Sequence, residues 1–360
     1  KDQTYLLFVP TTSGPCRTGQ YYIFYENLFK DLKIDNVIIV TLDADNSYNE
    51  LGPKFMKDAW WGVIIGDYMK DIETALRATA LDPESAMKRY DELWTEIVHV
   101  AEHDIGKIVP TLEAFAREIK KIPLRTKMKD SPKVLVVGEI YVRRDDFAVD
   151  ELVGLLSKRG IIAKVSGVAE WIYYCDHTRR HDLVKRYKLI PWYKRPFSKV
   201  FRELVMWKIE EKYKHHVDHK IKKALAISEL IPETPHDMNE IMGNANELFV
   251  TPELYSEISI SAGAASTALM KDYSGVINIS PFACLIGRVI EGLVTPWARD
   301  KNYPMMSVEI DGDILPPNVV NKLEIFMLNV LRFRSTPETS QLVESKDKSG
   351  FVISRKIVKK

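Results

Sequence analysis

Apolar and polar positions along the chain follow two rhythms, and the switches between them mark out its elements. Residues 5–9 (Tyr-Leu-Leu-Phe-Val) and 36–42 are short, β-prone apolar runs. A loop at 10–16 follows the first, with two Pro, one Gly and three hydroxyl residues. Between the runs, Ile23, Phe24, Leu28 and Leu32 recur at near-helical spacing. Two strands joined through a helix predict a βαβ unit and a parallel sheet. From about residue 53 to 123 the rhythm becomes helical. Ile72, Leu76, Leu81, Met87, Leu93, Ile97 and Val100 alternate with Lys, Glu and Asp, which predicts a stack of amphipathic helices. No internal repeat is visible. A basic, Pro-containing connector at 122–133 sets a domain boundary near Ser131.

A second α/β unit begins there. Residues 133–137 read as a buried strand, Gly138-Glu139 as a turn, 147–158 as a helix closed by Gly160, and 161–165 as the next strand. Strands are expected again at 275–279 and 305–310, and helices at about 285–293 and 319–331. The expectation is an α/β fold with Rossmann/flavodoxin-like parallel sheets in two domains and large helical insertions. Residues 1–130 carry Cys16. Residues 131–334 carry Cys284 and a basic helical insertion at about 176–231. Residues 335–360 form a polar and basic tail, read as an edge strand or a disordered end.

Composition narrows the function classes. The 360 residues are 46% hydrophobic and 28% charged, with 51 Lys and Arg against 50 Asp and Glu. A net charge of +1 argues against a chain built wholly to coat nucleic acid or an anionic membrane. Nothing approaches the ~20 apolar residues of a spanning helix, so no membrane is expected. The first ten residues lack a signal-peptide layout and do not begin with Met, so a fragment or a processed chain is expected. Charge is uneven, however. Residues 178–224 hold 15 Lys and Arg against 5 Asp and Glu, interleaved with Tyr187, Trp192, Tyr193, Phe197, Phe201 and Trp207. The aromatic spacing is read as the buried face of helices with the bases outside. Nucleic-acid binding, and docking of an acidic partner or of coenzyme A phosphates, are the competing readings.

Three cysteines, Cys16, Cys175 and Cys284, are no disulfide framework and suit a reduced, cytoplasmic chain. Cys16 and Cys284 share a setting. Each follows an apolar strand and a Pro-containing loop and stands just before a helical pattern. Ligands bind beyond the carboxyl ends of strands in open α/β sheets. A thiol at a helix N-terminus meets unpaired N–H groups that favour thiolate. The structural alternative is a small buried hydrophobe, and it weighs most on Cys175, which reads as a strand or helix end after Trp171–Tyr174. No CxxC occurs, so any metal group must be assembled by the fold. Glu139, at the end of the strand beside the one preceding Cys284, is a candidate acid/base or partner-holding carboxylate. A turn carboxylate is its alternative. His215 with His219, and Cys175 with His177 and His181, are further metal sets set against a solvated helical surface. With no GxGxxG after a strand and no GxxxxGK[ST], neither NAD nor an ATP site is expected.

The run Thr11-Thr12-Ser13-Gly14-Pro15-Cys16-Arg17-Thr18-Gly19-Gln20-Tyr21 resembles a block in the large proteins related to 2-hydroxyacyl-CoA dehydratases and their activases. Gly138-Glu139-Ile140-Tyr141-Val142-Arg143, Glu170-Trp171-Ile172-Tyr173-Tyr174, Pro281-Phe282-Ala283-Cys284 and Glu309-Ile310-Asp311-Gly312 are similar to further blocks there. The likeness spans roughly residues 5–330. It implies α/β domains whose strand ends converge on a [4Fe–4S] or double-cubane iron–sulfur cluster. Cys16 and Cys284 match the family's cysteines, and Cys175 is a third candidate without a matching block. The resemblance also implies an ATP-dependent activase as electron donor, a sister subunit or upstream segment, and an acyl-CoA or small-molecule substrate. The activase's phosphate loops and the upstream cysteine segments of fused members have no counterpart here. The function expected is an iron–sulfur subunit or fragment of a radical dehydratase or ATP-dependent reductase. A cluster-free scaffold or regulatory subunit, docking a partner through its basic helices, is the alternative.

Overall fold

The computed structural model describes residues 3–12, 14–42, 52–231, 237–251, 253–254 and 256–334. The tail at 335–360 lies outside them. The first unit is β1 (Tyr5–Pro10), α1 (Tyr21–Asp31) and β2 (Val37–Leu42), and its two strands pair in parallel. Three helices follow: α2 (Gly52–Thr79), α3 (Pro83–His103) and α4 (Ile108–Ile119). Asp82 caps α3 by accepting the Ser85 N–H, and Pro83 sits where a missing N–H costs nothing.

The second sheet runs β4 (Ile162–Val165), β3 (Lys133–Gly138), β5 (Gly275–Pro281), β6 (Met305–Ile310), all parallel. Its chain order reverses between β3 and β5, the switch point at which open α/β sheets take ligands. The apolar runs of β3 and β5 are buried along their length, as a parallel sheet covered on both faces requires. The remaining helices are α5 (Asp146–Lys158), α6 (Val168–Leu189), α7 (Lys199–Leu225), α8 (Met238–Leu248), α9 (Glu257–Met270), α10 (Leu285–Asp300) and α11 (Pro317–Arg334). The fold is thus α/β, with parallel sheets set among helical insertions.

The core has two main parts. One face of the four-stranded sheet packs with α5 and α11. On the other face, side chains from α2–α4 and from α6–α10 form one continuous apolar cluster with the sheet. The change of pattern near Ser131 is therefore a boundary in sequence across which the core runs on. A buried ion pair ties α2 to the sheet: Lys164 Nζ on β4 lies 2.6 and 2.7 Å from the two Asp71 carboxylate oxygens.

The basic insertion is helical, as expected, but its aromatics are not one buried face. Trp207 is buried with Leu183 and Val200 in a small separate cluster. Trp192, at 78% exposure, Phe197, at 86%, and Tyr193 and Phe201 face solvent. Residues 190–198 turn the chain between α6 and α7, and a turn has no inner face on which to bury a ring. Cys175 also differs from expectation: it lies within α6, not at an element's end.

Candidate functional site

The carboxyl ends of β3 and β5 are held together by backbone. Glu139 N–H donates to the Ile279 carbonyl at 2.9 Å. Gly138, with φ of +117°, makes this approach possible, since a Cβ there would strike the Ile279 backbone. The chain then turns tightly. The Glu139 carboxylate accepts N–H from Tyr141 at 3.1 Å and from Val142 at 2.7 Å. Buried Arg143 locks the turn from beneath. It donates to the carbonyls of Gly138 at 3.3 Å and Gly167 at 3.2 Å, and pairs with buried Glu170 at 3.2 Å. Two of the sequence blocks, around Gly138 and around Glu170, are thereby joined.

Cys284 follows β5 and is the N-cap of α10. Its loop is anchored to β6: Phe282 N–H donates to the Ile310 carbonyl at 2.8 Å, and Ala283 N–H to the Glu309 carboxylate at 3.0 Å. Ala283 takes a left-handed backbone, φ +56°, to make the corner. Asn278 on β5 donates to the Gly287 carbonyl at 3.0 Å, holding the first turn of α10 against the sheet.

Cys16 arrives from the other end of the chain, after β1 and its Pro-rich loop. It begins a short 3-10 turn (Arg17–Gln20) that runs into α1. Its Sγ lies 3.0 Å from Thr18 Oγ1. Gly19 packs on the Thr12 carbonyl so closely that a Cβ would collide with it.

Cys16 and Cys284 both pack, partly buried, against the main apolar cluster, and Cys16 is among the neighbours that raise the Cys284 pKa. The backbone N–H groups of Gly287 and Ile286, at the start of α10, favour the charged form of Cys284, as a helix N-terminus should, although the side chain makes no capping hydrogen bond. Burial outweighs them. Together with Cys16 and Glu257 it pushes the Cys284 thiol up, opposite to the direction expected from the helix end alone. Glu257, the first residue of α9, was not anticipated. Its carboxylate accepts the Ile140 N–H at 3.1 Å. Burial, with Glu139 facing it, raises its pKa to about 7, against the opposing pull of Arg143. The carboxyl group felt by the Cys284 thiol is Glu257, and Glu139 reaches the site through it. The only sequence signal for Glu257 is a Ser-Glu pair opening a run of small apolar residues, which reads as ordinary capping.

Cys175 is half-buried in α6, with its carbonyl accepting the Thr178 hydroxyl at 2.9 Å. Among the described residues, no three or more His, Cys, Asp or Glu side chains are arranged to hold a metal ion. His215 is stacked on Tyr173, with ring centroids 4.9 Å apart. Burial lowers the His177 pKa, with Arg180 and His181 adding to it. No helix among the described residues is long and apolar enough to cross a membrane. No protein-family model, curated protein or solved structure matches the chain.

Proposed function

We propose that this chain is an iron–sulfur subunit, or fragment, of a 2-hydroxyacyl-CoA dehydratase-like or double-cubane reductase-like system that takes low-potential electrons from an ATP-dependent activase. One observation carries the reading. Cys16 and Cys284, from opposite ends of the chain, each follow a parallel strand, stand at the start of a helical turn and pack against the same apolar cluster. Two thiols packed against one core, one of them at a helix N-terminus, suit thiolate ligation of iron in type and in setting. The fit is partial, since no group of three or more such ligands is assembled among the described residues, and the remaining ligands would come from another segment or another chain. When bound, such a cluster supplies one-electron transfer. Cys16 and Cys284 are the residues that would hold it. Glu139 and Arg143 fix the turn beside it. Tyr141 and Phe282, each two residues from Glu139 and Cys284 respectively, are exposed, and an acyl thioester or other small substrate would meet them first.

The test is purification without oxygen, together with any copurifying subunit, followed by iron and sulfide analysis and absorption near about 400 nm. The expected result is roughly four irons per chain, lost in Cys16→Ala and Cys284→Ala. A colourless, iron-free, well-folded protein obtained this way would refute the proposal. It would favour the second reading, a cluster-free subunit that docks an acidic partner. The exposed Trp192 and Phe197 support that reading. They lie within residues 185–202, which hold seven Lys and Arg and no Asp or Glu.

A further inference from the structure

We propose that the outer face of the α6–α7 hairpin docks on an anionic lipid surface. Helix α7 carries two apolar faces. Val200, Leu204 and Trp207 pack with Leu183 of α6, and one such stripe is enough to join the two helices. Phe201, Val205 and Ile209 recur every fourth residue on a second face and are 38%, 43% and 56% exposed. The bases of the helix gather on that second face. Lys208 and Lys212 stand seven and eleven residues after Phe201, on the same side of the helix, and both are exposed, as is Arg202. The acids are turned the other way. Glu203 pairs with Arg186 of α6 at 3.7 Å and Glu210 with Arg179 at 3.2 Å, and Glu211 is half-buried. An exposed apolar stripe bordered by Lys and Arg is the pattern of a helix that lies in a membrane interface.

The turn between the helices has the same character. Leu189, at 85% exposure, Trp192, Tyr193 and Phe197 stand out from it, within a run that holds seven bases and no acid over residues 185–202. The turn is fixed rather than loose. Arg195 donates to the carbonyls of Ile190 at 2.9 Å and Lys188 at 3.0 Å, Lys194 N–H donates to the Pro191 carbonyl at 2.9 Å, and the Ser198 hydroxyl accepts the Phe201 N–H at 3.1 Å. These backbone groups keep their partners on leaving water for lipid headgroups. Trp and Tyr suit the headgroup level of a bilayer, while Lys and Arg reach lipid phosphates with their stems in apolar surroundings. The positive charge calls for an anionic partner. Within that class, the aliphatic Leu189, Val205 and Ile209 favour lipid over nucleic acid, since they offer bases nothing to stack on. Side chains raised on the end of a hairpin favour a medium that yields around them over a polypeptide, which must supply matching pockets. The attachment is to a surface, because no helix among the described residues is long and apolar enough to cross a bilayer. The inference does not depend on the cluster reading.

The experiment is co-sedimentation of the full chain with vesicles of equal parts phosphatidylserine and phosphatidylcholine, against vesicles of phosphatidylcholine alone. The expected result is binding to the anionic vesicles only, weakened by salt. Each base at such a surface contributes about fivefold, so Lys208→Glu/Lys212→Glu should weaken binding more than about tenfold. Trp192→Ala/Phe197→Ala, which removes two apolar side chains from the contact, should do the same. Circular dichroism checks that each variant is folded. A second reading needs only a conservative change. Brominated phosphatidylcholine in the same vesicles should quench Trp192, seen as the difference in fluorescence between wild type and Trp192→Phe. Three results overturn the proposal. The first is a wild-type chain that leaves the anionic vesicles unbound at low salt; binding of polyglutamate or of a single-stranded oligonucleotide through the same rings would then assign the tip to an acidic polymer. The second is vesicle binding that persists undiminished in both folded variants. The third is vesicle binding without quenching of Trp192.

Discussion

Replacing Glu257 by Gln removes one charge from the centre of the site and changes little else. The amide keeps an oxygen that accepts the Ile140 N–H. In the wild-type chain, burial and the neighbouring Glu139 hold the Glu257 carboxyl neutral up to about pH 7, against an ordinary value of 4.5. The folded chain thus binds this proton more tightly than the unfolded chain does. Its contribution is fully present below about pH 4.5 and is lost as pH rises to about 7. The interval corresponds to roughly 3 kcal/mol as an upper figure. Glu257→Gln carries no such penalty. It should match wild type near pH 4 and exceed it by up to about 3 kcal/mol at pH 8, read from urea denaturation across that range. The same substitution removes a charge that raises the Cys284 pKa, so Cys284 should react faster with iodoacetamide at pH 8. Stability curves for the two proteins that stay parallel from pH 5 to 8 would refute the assignment of Glu257 as a buried, proton-holding carboxyl.

Three further outcomes follow from the same physical rules. Asp71→Asn leaves Lys164 charged and buried without its partner, and should cost about 3–5 kcal/mol in urea denaturation, most of it recovered in the Asp71→Asn/Lys164→Met double variant. Gly138→Ala forces a Cβ into the Ile279 backbone at a left-handed position. It should lose more than about 2 kcal/mol and alter the alkylation rate of Cys284, because it parts the strand ends that frame the site. Trp192→Ala with Phe197→Ala removes two exposed rings and should leave the urea midpoint within about 0.5 kcal/mol of wild type, while weakening any acidic partner that docks there.

The α/β class was legible because burial dictates it twice: as unbroken apolar strands and as 3.6-residue periodicity between them. β3 and β5 could be placed to within a residue or two for that reason. The adjacency of β3 and β5 followed from assuming a flavodoxin-like order, which the observed pairing obeys. What could not be read is which apolar face is covered by what. The ring spacing in the basic insertion looked like a buried stripe, yet periodicity records only that a face exists. Trp207 finds Leu183 and Val200, whereas Trp192, edge-on to Tyr193, and Phe197, in the turn between the helices, stay exposed. The strands of the first unit show the converse, since Leu6, Phe8 and Ile38 lie in apolar runs that read as buried, yet are exposed among the described residues.

The site shows the same limit in electrostatic form. Sequence placed a thiol at a helix N-terminus and inferred a depressed pKa, which counts only the N–H groups contributed by the cysteine's own helix. Folding adds what sequence separation hides: Cys16 from the first loop, Glu257 from α9, and Glu139 behind it. All of these become negative on losing a proton, and Arg143, the base they face, is already paired with Glu170. Such a group cannot ionise fully without a counter-charge, because charges confined at low dielectric repel one another strongly. Burial and these acidic neighbours therefore favour the neutral Cys284 thiol, and a cation bound beside it would favour the thiolate. The sequence's inference of thiolate and the raised pKa of Cys284 describe these two states of one site. A helix end supplies the ligating geometry for Cys284, while its acidic neighbours make ionisation depend on a positive charge arriving.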